Sequence, residues 1–163
     1  MNSQLEYALK LRDDGEEEQS RQLFIELVRK DHNNAELNFH CAQTHDGMGL
    51  EEEAVEYYER AISIGLPEEL LKDAYVCLGS TFKVIGEYQK SLDILSKGEE
   101  EFPYYEPVQV FKALTLHSMN DHSKALKTVL HSLLKTTNDK GIQNYSRALH
   151  YYAEFLDEGV KTD

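Results

Sequence analysis

The stretch YVCLGSTFKVIGEYQKSLDILSKGEEEFP, residues 75–103, holds the clearest copy of a pattern that runs through the whole chain. Gly79 and Ser91 are small residues placed in the middle of two helical runs, and Gly86 between them is a signal to end one helix and begin another. Leu95, four residues after Ser91, puts a bulky apolar side chain one turn further along the same face. The pattern recurs in both directions. Ala8, Ala42, Gly79 and Ala113 are separated by 34, 37 and 34 residues, and Ser20, Ala54, Ser91 and Ala125 by the same intervals. Phe24, Tyr58, Leu95 and Val129 come four residues after the second series, and Gly15, Gly49, Gly86 and Asn120 mark the turns. The period is about 34 residues, built as helix, tight turn, helix. Small residues at fixed places let the paired helices approach closely, and the large residue fills the next groove.

Nothing in the intervening sequence disagrees. Leu23, Phe24, Leu27 and Val28 form one amphipathic stripe, and Ala125, Leu126, Val129, Leu130, Leu133 and Leu134 another. Prolines occur only at 67, 103 and 107, and no alternating apolar–polar run is sustained. The chain reads as all-α.

With its period and these positions, the sequence resembles the tetratricopeptide repeat (TPR) family, whose repeats carry Trp, Leu, Gly and Tyr, then Ala, Phe and Ala, then Pro. Tyr75, Leu78, Gly79, Phe82, Ser91, Leu95 and Pro103 match best. Cys41, Ala42, Ala54, Tyr58, Ala61 and Pro67 carry the match in the second repeat. Ala8, Leu11, Ser20 and Phe24 keep the pattern in the first, and Ala113, Leu116, Ala125 and Val129 in the fourth. The resemblance implies a right-handed α-solenoid of four helix-turn-helix repeats, set at about 1–34, 35–71, 72–105 and 106–139. Three extra residues near Leu66-Pro67-Glu68-Glu69 lengthen a helix end. A capping helix is expected at about 141–158, started by Asn138-Asp139, within a single domain of 1–158, with a short polar tail at 159–163. The cap's inner stripe is read as Ile142, Tyr145, Leu149, Tyr152 and Leu156, with Ala148, Tyr151 and Phe155 as a second stripe. A set of repeats with no attached domain is similar to small bacterial TPR proteins.

Composition narrows the function. With 17 basic against 30 acidic residues in 163, the net charge is −13, which argues against nucleic-acid phosphates and against an anionic membrane surface. No apolar run approaches the roughly 18 residues of a membrane span, and the first residues do not read as a signal peptide. Two cysteines make no disulfide framework. A content of 40% hydrophobic residues with ten tyrosines excludes a disordered acidic tail. The expectation is a soluble, acidic, cytoplasmic protein. Residues 35–71 hold nine acidic residues against Arg60 alone. Glu16-Glu17-Glu18 and Glu51-Glu52-Glu53 fall where second helices begin, and the helix dipole favours carboxylates there. Glu99-Glu100-Glu101 falls at a helix end, where the dipole disfavours it, and is the better candidate for a partner contact.

In the TPR family the first helices line a concave face that receives a partner segment. Carried over by position, that lining is Leu5, Leu9, Arg12, Phe39, Gln43, Asp46, Val76, Ser80, Lys83, Val110, Leu114 and His117. One subfamily clamps acidic chaperone tails with Lys, Asn and Arg; the matching positions here are Leu5, Leu9, His40, Asp73 and Cys77, so that clamp is absent. An apolar strip of Leu9, Phe39, Val76 and Val110 suits an amphipathic helix or extended apolar segment, oriented by Arg12, Gln43 and Lys83. A second reading is a homodimer formed through Tyr145, Tyr151, Tyr152 and Phe155 on the last helix. Catalysis has no support. His40/His45 and His117/His122 are five apart, about 140° around one helix, which is wrong for a shared metal, so no metal and no cofactor is expected. Cys41 and Cys77 read as free buried thiols, and Gly47-Met48-Gly49 as an interhelical turn. The expected function is a non-enzymatic protein-binding module.

Overall fold

In the computed structural model, residues 2–157 are described; the tail at 159–163 lies outside them. The described residues form helices and no strand, and they group into two compact units, one through Glu87 and one from Tyr88.

The first unit contains α1 (Asn2–Asp13), α2 (Glu17–Lys30), α3 (Ala35–Gly47), α4 (Glu51–Ile64) and α5 (Glu68–Val84). Helix α3 meets both α1 and α5 in one layer, and α2 and α4 fill the other. The small residues mark the crossings. Ala8 and Ser20 are both buried, and the Ser20 hydroxyl donates to the Ala8 carbonyl at 2.8 Å, a contact only two small side chains permit. Phe24 and Tyr58 then fill the next groove, both against α3: Phe24 lies 6.1 Å from the His40 ring and Tyr58 6.1 Å from Phe39. The long α5 begins directly after Pro67, so the extra residues extend its start.

The second unit contains α6 (Tyr88–Glu101), α7 (Pro107–Ser118), α8 (His122–Thr136), α9 (Lys140–Asn144) and α10 (Ser146–Glu154). Ser91 on α6 and Thr115 on α7 share a buried hydroxyl–hydroxyl bond of 2.8 Å. Leu95 is buried, but Val129, in the same register on α8, is 40% exposed and fills no groove.

Four turns share one geometry. Gly15, Gly49, Gly86 and Asn120 have φ of 83°, 74°, 84° and 64°. Each N–H donates to the carbonyl three residues back, and the N–H of the next residue reaches five back, for example Asn120 to His117 and Asp121 to Leu116, both at 3.0 Å. This is the Schellman closure, which needs a left-handed residue and therefore Gly or Asn.

The single capping helix expected at 141–158 is a broken one. Asp139 caps its start, its carboxylate accepting the Ile142 N–H at 2.8 Å. Tyr145, at φ −100° and ψ 7°, leaves the helix and bonds back only three residues, to Ile142. Residues 155–157 are not helical. The inward stripe is Ile142, Ser146, Leu149, Ala153 and Leu156, so Tyr145 and Tyr152 are exposed and not part of it. The reason is steric: α10 meets α8 closely over buried Ala153, while Ser123 donates to Asp157 and Lys127 to Glu154, and a tyrosine on that face would hold the helices apart.

Candidate partner-binding surface

The twelve positions expected to line a partner groove divide by burial. Phe39 is 1% exposed, packed between the His40 ring and Tyr58, and Val76 is also buried. Both belong to the core, and Phe39 meets Tyr58 of the second helix α4 edge-on. Phe39 and Val76 therefore offer no surface to the apolar strip expected through Leu9, Phe39, Val76 and Val110. A Phe39→Asp change would bury an unpaired carboxylate and unfold the unit, not simply block a partner.

What the first unit presents instead is polar. Arg12 donates to the Gln43 amide oxygen at 3.4 Å, and His40 Nδ1 donates to the same oxygen at 3.1 Å, bridging α1 and α3. Burial lowers the pKa of His40, keeping it a neutral donor. Asp46 accepts from Thr81 at 3.0 Å and Tyr58 at 3.3 Å, tying α3 to α5 and α4; its half-burial raises its pKa. Ser80 and Lys83 are half-buried, and Leu5 and Leu9 pack half-buried against the apolar cluster of Ala8, Phe24 and Leu37. Arg12 and Gln43, expected to orient a ligand, thus hold neighbouring helices together.

In the second unit Val110, Leu114 and His117 occupy one face of α7 at i, i+4, i+7 spacing, and all three are exposed. Val110 and Leu114 are 40% and 47% exposed. The α8 face carrying Leu126, Val129 and Leu133 is also open, although the repeat pattern assigns such a face to the groove of a further helix. On and beside α10, Tyr145, Tyr151, Tyr152 and Phe155 are exposed; the Tyr151 ring meets Phe155 at a tilt, 4.8 Å between centroids, and Tyr152 edge-on at 5.9 Å.

Several side chains have structural employment that the sequence does not reveal. Glu99 forms an ion pair with Lys112 of α7 at 2.6 Å, and that bond holds its pKa below the ordinary carboxylate range. The helix-end run is therefore not free for a partner at Glu99. His45 Nδ1 donates to the Cys41 carbonyl at 2.7 Å, which fixes the proton on that nitrogen and buries the ring against Tyr57. Burial pushes the Cys41 thiol up to about 12 and also raises Cys77, so neither is a nucleophile at neutral pH. His117 and His122 do meet, Nδ1 to Nδ1 at 3.0 Å, because α7 ends between them and they sit on different helices. Among the described residues no group of three or more His, Cys, Asp or Glu is arranged to hold a metal, and no helix is long and apolar enough to cross a membrane.

A family model described as tetratrico peptide repeat matches residues 35–156. Two crystal structures of MamA superpose with TM-scores of 0.69 and 0.70, at 21% and 20% identity. The first covers 90% of this chain and 92% of its own, the second 94% and 88%. A structure of YrrB, described as a TPR protein with an unusual peptide-binding site, reaches a TM-score of 0.38 at 14% identity, covering 89% of this chain and 90% of its own. No curated protein matches the chain in sequence.

Proposed function

The chain belongs to the tetratricopeptide repeat family, a fold of protein–protein interaction modules, and we propose that it binds a partner segment against the exposed face of α7. The observation that carries this reading is the pair Val110 and Leu114, one turn apart and open to solvent on a first helix. Val110 and Leu114 are already more than half covered, so burying the rest of each against an apolar partner contributes about 1 kcal/mol apiece. The pair sets the register of an amphipathic helix or extended segment whose remaining contacts add the affinity. His117 extends the stripe at its C-terminal end.

Leu114→Asp tests this without touching the core. The expected result is a variant with unchanged helical circular dichroism that no longer retains the partner held by the wild-type protein in a tagged pull-down from native lysate. Equal recovery by both proteins would remove α7 as the contact face.

A second reading has its own observation. Tyr145, Tyr151, Tyr152 and Phe155 expose aromatic rings in one short segment, an arrangement suited to a second copy of the chain. Tyr151→Glu combined with Phe155→Glu converts such a dimer to a monomer, read by light scattering across a concentration series. A wild-type protein monomeric throughout that series would exclude it.

A further inference from the structure

Residues five apart on one continuous helix point away from each other, but His117 lies in the last turn of α7 and His122 begins α8. The turn between them is closed by hydrogen bonds. The N–H of Asn120 is bonded to the His117 carbonyl at 3.0 Å, and Asp121 caps α8 by accepting the Lys124 N–H at 3.3 Å. This brings the two imidazoles to a centroid distance of 4.5 Å with Nδ1 facing Nδ1 at 3.0 Å, both side chains exposed.

We propose that His117 and His122 form a two-histidine site for a divalent transition-metal ion, Cu2+ or Ni2+, completed by water. A metal–nitrogen bond of about 2.0–2.1 Å places two cis ligands at right angles about 2.9 Å apart, and two tetrahedral ligands about 3.3 Å apart. The observed 3.0 Å matches the right-angle geometry that Cu2+ and Ni2+ favour. In the metal-free protein one Nδ1–H donates to the other Nδ1. On binding, that proton passes through solvent to Nε2 of the same ring, leaving both Nδ1 lone pairs on the ion and releasing no net proton. The same turn elsewhere carries no such pair: the equivalent positions are Arg12 with Glu17, Asp46 with Glu51, and Lys83 with Tyr88.

The test uses untagged, chelator-treated full-length protein titrated with Cu2+ and, separately, Ni2+ by calorimetry, with amide NMR broadening by Cu2+ to locate the ion. The expected result is one equivalent bound, broadening centred on residues 117–122, and affinity at least roughly tenfold lower in His117→Ala and in His122→Ala. His131→Ala is the control: its ring lies 5.5 Å from that of His150 and 3.3 Å from Glu154, and its loss leaves binding unchanged. Wild-type affinity in both single variants, broadening centred on His131 and His150, or no binding at millimolar metal would each overturn the proposal. Both variants alter exposed side chains, so helical circular dichroism stays at the wild-type level. The readout is metal alone, so its outcome is independent of whether α7 docks a partner.

Discussion

Phe24 and Val129 occupy the same position of the repeat, yet Phe24 is fully buried and Val129 is open to water. The difference lies in the helix that comes next. After α2 comes α3, a full first helix that lays His40 and Leu37 over Phe24's groove. After α8 come the five-residue α9 and the short α10, which meets α8 along Ser123, Lys127 and His131 and leaves Leu126, Val129 and Leu133 uncovered. A repeat position specifies a core residue only when the next repeat arrives to close over it.

Truncating both residues puts that contrast under the greatest strain. Phe24→Ala removes a ring from a closed core and is expected to cost about 3–5 kcal/mol, while Val129→Ala is expected to stay within about 0.5 kcal/mol. Urea denaturation of the two variants measures this. A Val129→Ala cost near that of Phe24→Ala would mean that the α8 face is covered in solution.

A smaller effect separates the turns. Gly49 and Asn120 hold the same left-handed position, but only glycine reaches it without a Cβ penalty. Gly49→Ala is expected to lose about 1 kcal/mol, whereas Asn120→Gly should be neutral within about 0.5 kcal/mol. Thermal melts of the two proteins give the answer.

The smallest expected effect concerns charge within the second unit. Lys112 lowers the pKa of Glu99, so this pair's stabilisation is complete above the ordinary carboxylate range and is lost as pH falls through the depressed folded pKa. Lys112→Ala should return Glu99 toward its ordinary value in an NMR titration and flatten the acid limb of stability. An unchanged Glu99 titration would show that the pair does not form in solution.

Backbone and spacing were the legible part of the sequence. The positions of Gly15, Gly49, Gly86 and Asn120 specified these four Schellman turns, because a left-handed residue is a local requirement. Ala8, Ser20, Ala42, Ala54, Ser91 and Ala125 marked close crossings, because only small side chains permit them. The surface was far less legible. Phe39 and Val110 both read as groove lining, and only one of them reaches solvent.

Residue order was enough to specify an all-helical chain of 34-residue repeats, its turn chemistry and its family. These depend on period, residue size and φ preference, which act within a few residues. Packing between helices settled that Phe39 is core, that Tyr145 breaks the last helix, that Glu99 is paired and that His117 faces His122. Each of these depends on which neighbouring helix covers a side chain, and that contact is made by residues distant in sequence or across a helix break that spacing rules treat as continuous.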